Sequence, residues 1–240
     1  MPKILGVVTA RGGSKSIPGK NIKLLGGKPL ISHIIESAKK SGIFDRLILS
    51  TDDEKIAEVA KKYGVEMLFL RPAELAQDAT PHLPVIEHAL AFMRDNEKYT
   101  PEYTAILQPT SPMVKPQDFI KAFELLKEKN ADSVIGVVKI PPHYNPLRSL
   151  KTDSDGFLSL FVTGDPVRKR ISRRQDLPEL FTLNSAIYIF KTGLLFDPVE
   201  PSFYGNKVVA YVMDEKSSIN IDDPEDWEEA EEAIKEKIIK

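Results

Sequence analysis

Short apolar runs rich in β-branched residues alternate with helix-spaced apolar stripes up to Pro141, and that alternation admits few folds. Ile4 to Thr9 reads as a buried strand. Leu30, Ile31, Ile34, Ile35 and Ala38 then follow helical spacing and stop near Gly42. Arg46 to Ser50 predicts a second strand. Ile56, Val59, Ala60 and Tyr63 predict a second helix, with Gly64 as its C-terminal stop. Glu66 to Leu70 reads as a third strand, Val85 to Met93 as a helix, and Thr104 to Leu107 as a strand. Phe119 to Leu126 is helical and Ser133 to Val138 extended. A chain of this rhythm builds an α/β fold, a largely parallel sheet with helices on its faces.

Such sheets bind ligands beyond the carboxyl ends of their strands. The polar, Gly- and Pro-rich segments fall there: Arg11 to Asn21, Ser50-Thr51-Asp52, Arg71-Pro72, and Gln108-Pro109-Thr110-Ser111. Four converging loops describe a cleft. The first combines glycines, which let the main chain approach a ligand and present N–H groups, with the cations Arg11, Lys15 and Lys20. That chemistry suits a polyphosphate, and arginine can hold phosphate through a bidentate fork. The loop is not a Walker motif. Counting back from Gly19-Lys20, Ser14 stands where the first glycine belongs, and Asn21 replaces the required Ser or Thr.

After Pro141 the rhythm breaks. Pro142 and Pro146 interrupt regular structure, Lys151 to Gly156 reads as a turn, and Phe157 to Val162 as an extended arm. The core resumes at Ala186 to Phe190 and Val208 to Met213 and closes with a helix from about Pro224. Residues 142–183 are therefore a candidate subdomain or dimerisation insert within a single domain spanning 1–240. One excursion packed on its own subunit is the other reading.

Composition narrows the function classes. The 240 residues, 42% hydrophobic and 28% charged, suffice for one soluble domain with a sizeable core. There is no cysteine, hence no disulfide or thiolate metal site. No segment approaches the roughly 20 apolar residues needed to span a bilayer. The N-terminal apolar run is too short for a signal peptide, so cytoplasm is the expected compartment and no membrane partner is expected. Net charge is −2, which gives no global field for nucleic acid. The exception is local: Arg168, Lys169, Arg170, Arg173 and Arg174. A phosphate-backbone footprint, a solvated surface and a site for a small anion all fit that cluster. No aromatic interleaving accompanies it, so nucleic acid is not the expected partner.

The segment ARGGSKSIPGKN resembles the N-terminal signature of the cytidylyltransferases that activate sialic acid and related nonulosonic acids. The resemblance continues in order through STDDEKIAEVAKKYG, RPAELAQDATP, LQPTSP, LNSAIYIF and INIDDPEDWEEAE, covering nearly the whole chain. It implies a three-layer α/β/α, Rossmann-like nucleotidyltransferase fold, usually a homodimer formed through an inserted arm. It also implies CTP and an acidic nine-carbon sugar as substrates, with Mg²⁺ as cofactor.

By the same resemblance, Arg11, Ser14, Lys20 and Asn21 bind the CTP phosphates and neighbouring groups, and Arg71 helps recognise the nucleotide. Asp78 falls in the matching QDATP segment, as a helix cap or a ligand contact. Thr80 and His82 replace small residues of the family. Gln108, Asn184 and Tyr188 are assigned to the sugar side, and Phe203 and Tyr204 to the pocket around its acyl substituents. Arg148 and Arg174 match basic residues for the sugar carboxylate, Arg174 reaching the partner's site. Asp222 is the metal ligand and, with Arg11 and Lys20, a catalytic residue. Asn220 stands where relatives often carry the first Asp of an Asp-x-Asp pair, so it offers the metal a neutral amide oxygen. Asp223 reads as a helix cap ahead of Pro224. A metal-bound hydroxide and a carboxylate near Asp222 both remain open as the general base. Activation of Kdo or another sugar, a nucleotide-sugar-binding protein without catalysis, and an RNA-binding module are the alternative functions.

Overall fold

A computed structural model describes residues 2–239. In chain order its strands and α-helices are β1 (Ile4–Thr9), β2 (Leu24–Leu25), β3 (Lys28–Pro29), α1 (Leu30–Ser41), β4 (Arg46–Ser50), α2 (Glu54–Lys62), α3 (His82–Glu97) and β5 (Tyr103–Leu107). There follow α4 (Pro116–Glu128), β6 (Ser133–Lys139), β7 (Leu150–Thr152), β8 (Leu158–Leu160), β9 (Phe181–Lys191), β10 (Val208–Val212) and α5 (Pro224–Ile239). Six strands form the central sheet in the order β10-β6-β9-β5-β1-β4. β9 runs antiparallel to both of its neighbours, and the other pairings are parallel.

Strands β1, β4 and β5 are buried on both faces, which explains why they read as continuous apolar runs. Along β1, Ile4 and Val8 enter the cluster formed with Ile31, Ile34 and Ile35 of α1 and Phe119 and Phe123 of α4. Leu5 and Val7 point the other way, to Ile86, Ala89, Leu90 and Met93 of α3. Each fully buried side chain of Phe119's size contributes roughly 1.5–3 kcal/mol. The result is the three-layer arrangement that the sequence predicts. α1 stops where Gly42 adopts a left-handed conformation, φ 68°. α2 starts at Asp53, whose carboxylate accepts from the backbone N–H groups of Lys55 and Ile56 at 2.7 and 3.1 Å.

One element differs from expectation. Glu66 to Leu70 is not a strand; its backbone pairs with β4 only at the bridge between Ile48 and Glu66, beside the ion pair of Arg46 with Glu66. The adjacent residues Leu68 and Phe69 both pack against the α3 side of the core, which strict strand alternation forbids. The chain therefore bows off the sheet edge and rejoins it where Arg71 N–H donates to Thr51 O at 2.7 Å. The turn expected from Lys151 is also shorter, because Leu150 to Thr152 pairs with β8 as a small hairpin. That hairpin lies within 142–183, between the sheet strands β6 and β9, and exposes Leu158, Phe157, Phe161 and Val162.

β6 meets β9 through an irregularity between Ile135 and Val137. A Cβ at Gly136 would lie 2.5 Å from Asn184 Oδ1 and 3.0 Å from the Ile187 backbone nitrogen. Gly136→Ala is therefore expected to lower stability by about 1–3 kcal/mol through overpacking, read as a fall in the urea unfolding midpoint at unchanged slope.

Candidate functional site

β1 pairs with β4 on one side and β5 on the other, so the chain order reverses around it. That reversal opens a crevice at the carboxyl ends of the strands. A cavity of about 530 Å³ lies there. It brings together Arg11, Ser14, Lys20, Asn21, Arg71, Gln108 and Asp222, which the sequence places as far apart as positions 11 and 222.

The first loop is fixed from both ends. Gly19, at φ 67°, turns the chain into a short 3-10 segment, Lys20–Ile22. Asn21 is buried and its amide donates to Arg11 O at 2.9 Å, so it braces the start of the loop. Gly12 N–H donates to the Asp52 carboxylate at 3.0 Å. Lys20 is buried, and its ammonium donates to Ile221 O at 2.7 Å. Burial lowers the Lys20 pKa, and nearby Asp222 opposes that shift. Ser16 Oγ donates to Asp222 O, and Ile221 N–H to Thr110 O at 2.8 Å. A third apolar cluster, including Ile17, Ile221 and Trp227, packs the loop against the start of α5.

Arg71 forms the cavity's deep cation. Its Nε donates to Ser50 Oγ at 3.0 Å and one Nη to Ser50 O. Burial lowers its pKa to about 10; Asp52 counteracts and Arg11 adds to the fall. Guanidinium donors beyond the two directed at Ser50 are available to a ligand. His82, at the start of α3, also lines the cavity. Burial and then Arg71 lower the pKa of both His82 and His88.

The remaining sequence-predicted residues lie elsewhere. Asn184 is buried; its Oδ1 accepts from Ala186 N–H at 3.1 Å and its amide donates to Met213 sulfur and Ser218 Oγ. Tyr188 stands edge-on to Phe203 with ring centroids 5.9 Å apart, and Phe203 tilts against Tyr204. These three aromatics belong to the α3-side core. Arg148 donates to Ile171 O and Ser172 O at 3.1 and 2.6 Å, tying the two halves of the 142–183 excursion together. Arg174 lines a separate hollow of about 210 Å³ with Asn145 and Glu179. Arg173 pairs with Asp176 at the surface.

Asp222 lines the main cavity, while the Asn220 amide donates to Asp222 Oδ2 at 2.6 Å. Asn220 Oδ1 is shielded from solvent and has no partner. Asp223 caps α5, accepting from Glu225 and Asp226 N–H at 2.9 and 3.0 Å. Among the described residues no cluster of three or more His, Cys, Asp or Glu is arranged to hold a metal. Asp222 alone still fits Mg²⁺, which is commonly bound by one or two carboxylates together with substrate phosphates and water.

Asp78, expected as a helix cap or a ligand contact, does not cap α3, whose N-cap position is Pro81, and it lines the cavity instead. It pairs with Arg11 at 2.9 Å and with Lys15, at the mouth of the cavity. Spacing alone does not pair it with these cations, because they lie more than 60 residues earlier.

Residues 5–232 match the family model described as cytidylyltransferase. Post-translational flagellin modification protein B of Campylobacter coli is 34% identical over 99% of this chain and 97% of its own length. CMP-N,N'-diacetyllegionaminic acid synthase of Legionella pneumophila is also 34% identical, over 99% of this chain and 96% of its own. N-acylneuraminate cytidylyltransferase of Escherichia coli O18:K1:H7 is 34% identical over 94% of this chain, which spans only 51% of that relative. Among solved structures, CMP:2-keto-3-deoxy-manno-octonic acid synthetase complexed with CTP superposes with a TM-score of 0.69. It covers 98% of this chain and 99% of its own at 16% identity, a likeness of fold.

His88 supplies a test of the electrostatics behind the cavity. Its ring stands edge-on to Phe69, 4.9 Å between centroids, and its Nδ1 is buried without a partner. Because its folded pKa lies below the ordinary 6.5, the unfolded chain binds the proton more readily. His88 is thus expected to withdraw stability as pH falls below 6.5 towards its lowered folded value. Melting temperatures measured from pH 7.5 to 5 should decline less steeply in His88→Leu than in the wild type.

Proposed function

The chain belongs to the cytidylyltransferase family, and on that premise we propose that it joins CMP from CTP to a nonulosonic acid with release of pyrophosphate. The observation that carries this reading is the convergence of Arg11, Lys20, Arg71 and Asp222 on one cavity at the strand ends. Its cations suit a triphosphate. The names of the Legionella and Escherichia relatives supply the acidic sugar class.

In the proposed reaction the sugar's anomeric hydroxyl gives up its proton to solvent and its oxygen bonds to the α-phosphorus of CTP, as the bond from that phosphorus to the oxygen shared with the β-phosphate breaks and pyrophosphate leaves. Arg11 and Lys20 neutralise the polyphosphate, and Ser14 and Asn21 shape the loop around it. Lys20 is suited to this because its ammonium is held by the Ile221 carbonyl, with little freedom left to lose when the ligand arrives. Arg71 directs its remaining donors at the nucleoside half. Gln108 faces the sugar. Asp222 would hold Mg²⁺, and that ion would supply shielding of the phosphate charge and of the leaving group. No protein nucleophile is required, so positioning and electrostatics provide the acceleration.

The sugar half of the site includes residues of a second copy in this reading. The hairpin formed by β7 and β8 leaves Phe157 73% and Phe161 62% exposed, an apolar surface suited to burial against another chain. Pairing through 142–183 brings Arg174 to the partner's cavity and makes the enzyme a homodimer. Phe157→Lys combined with Phe161→Lys should then yield a monomer by light scattering, with loss of turnover. A monomeric, fully active wild type would overturn the dimer. A cysteine-free chain using CTP points to the cytoplasm; no helix among the described residues is long and apolar enough to cross a membrane.

The direct experiment is pyrophosphate release from each nucleoside triphosphate with N-acetylneuraminate, Kdn, legionaminate and pseudaminate. Turnover with CTP and at least one of these acids is expected. Reaction with only another triphosphate would sink the assignment. Lys20→Ala and Asp222→Asn should each lower kcat/KM by about 10²–10³ while circular dichroism still shows folded protein. Normal turnover in folded Lys20→Ala is the adverse result.

A further inference from the structure

Two of the three cations in the first loop already have an anionic partner, supplied by the chain itself. Arg11 Nη1 lies 2.9 Å from Asp78 Oδ1, and Lys15 Nζ pairs with Asp78 Oδ2. Arg11 Nη1 also donates to Gln77 O at 3.1 Å. Each carboxylate oxygen therefore faces a different cation, as two oxygens of a bridging phosphate would. Asp78 and the loop residues Arg11, Ser14 and Lys15 line the same cavity, so this carboxylate sits within the space that a polyphosphate must enter.

The segment carrying Asp78 is built to move without disturbing the core. It runs between Pro72 and Pro81, and its other hydrogen bonds are local. Gln77 donates its amide to Ala73 O at 3.2 Å, Thr80 N–H donates to Gln77 O at 3.2 Å, and Thr80 Oγ1 to Glu74 O at 3.3 Å. Asp78 is solvent-exposed, and Lys15 and then Arg11 hold its carboxyl below the usual range, so it is an anion across the neutral pH range. Exposed pairs of this kind are weak, and a ligand carrying several charges displaces them readily.

Building on the cytidylyltransferase reading, we infer that Asp78 is a stand-in for phosphate, occupying Arg11 and Lys15 in the empty site and exchanging with the polyphosphate. When CTP arrives, Asp78 yields the two cations and its segment swings from the mouth. When pyrophosphate forms, the same carboxylate competes for them and promotes release. Asp78 is in this sense a positioning residue that acts through Arg11 and Lys15. It keeps those side chains aimed at the cavity and sets how tightly the loop retains anionic ligands.

Asp78→Asn preserves shape and removes the charge. Titration calorimetry with inorganic pyrophosphate and with CTP should show both binding about 2- to 10-fold more tightly than to the wild type. KM for CTP should fall in parallel while kcat does not rise. Asp78→Glu should stay near the wild type, and Asp78→Ser should repeat the result of Asp78→Asn should the latter fold poorly. A purely structural role would instead lower the melting temperature and weaken both ligands. Equal or weaker pyrophosphate binding by the folded neutral variants overturns this inference alone. Failure of the wild type to bind either ligand overturns the cytidylyltransferase reading with it.

Discussion

The bond from the Lys20 ammonium to the Ile221 carbonyl joins two ends of the chain 201 residues apart, and the site is built around it. It is buried beneath the cavity, where an ammonium without a strong partner would be expensive. Its surroundings make it affordable: Asp222 lies close, and Ile17, Ile221 and Trp227 close an apolar seal beside it. Because Ile221 N–H is in turn held by Thr110 O, the loops after β1 and β5 and the entry to α5 form one rigid assembly. The first loop thus keeps its shape through contacts made by residues near the C-terminus.

That dependence explains what sequence could and could not reveal. Periodicity located the sheet and its helices because each apolar run answers to a local rule, two residues in a strand and 3.6 in a helix. It misread Glu66 to Leu70 because a short apolar run looks the same whether it pairs with a neighbour or bows away to bury both Leu68 and Phe69 on one side. The loop from Arg11 to Asn21 was legible as an anion site from its glycines and cations alone. Its partners were not. Nothing in the spacing of Ile221 or Asp78 signals that they meet that loop, and only the folded sheet brings them there.

The residues assigned to the sugar divide along the same line. Gln108 lies in the cavity with the nucleotide-side residues. Tyr188, Phe203 and Tyr204 lie in or against the packed interior on the α3 side, and Asn184 is buried against Met213 of the opposite cluster. Asn184 in particular has its carboxamide engaged on both sides, by Ala186 N–H and by Met213 and Ser218. A buried amide so fully engaged supports the irregular meeting of β6 and β9. Arg148 likewise secures two stretches of the excursion to each other. The motifs group these residues in the sequence, but a motif does not distinguish a ligand contact from the packing that holds one in place.

The Asn220–Asp222 pair carries this distinction into the cofactor chemistry. Two carboxylates in van der Waals range repel unless a cation lies between them, so such a pair is held in place by its metal. Replacing the first carboxylate by an amide reverses the local interaction. The Asn220 Nδ2 donates to Asp222 Oδ2, and the two side chains attract with no ion present. Asp222 is therefore oriented before any cation binds, with one oxygen engaged by the amide and the other free of it. Such preorganisation reduces the ordering needed on metal binding, at the loss of a second negative ligand. In the proposed reaction Asp222 would then act as a single carboxylate alongside the nucleotide phosphates, and the first loop would supply the remaining electrostatic stabilisation.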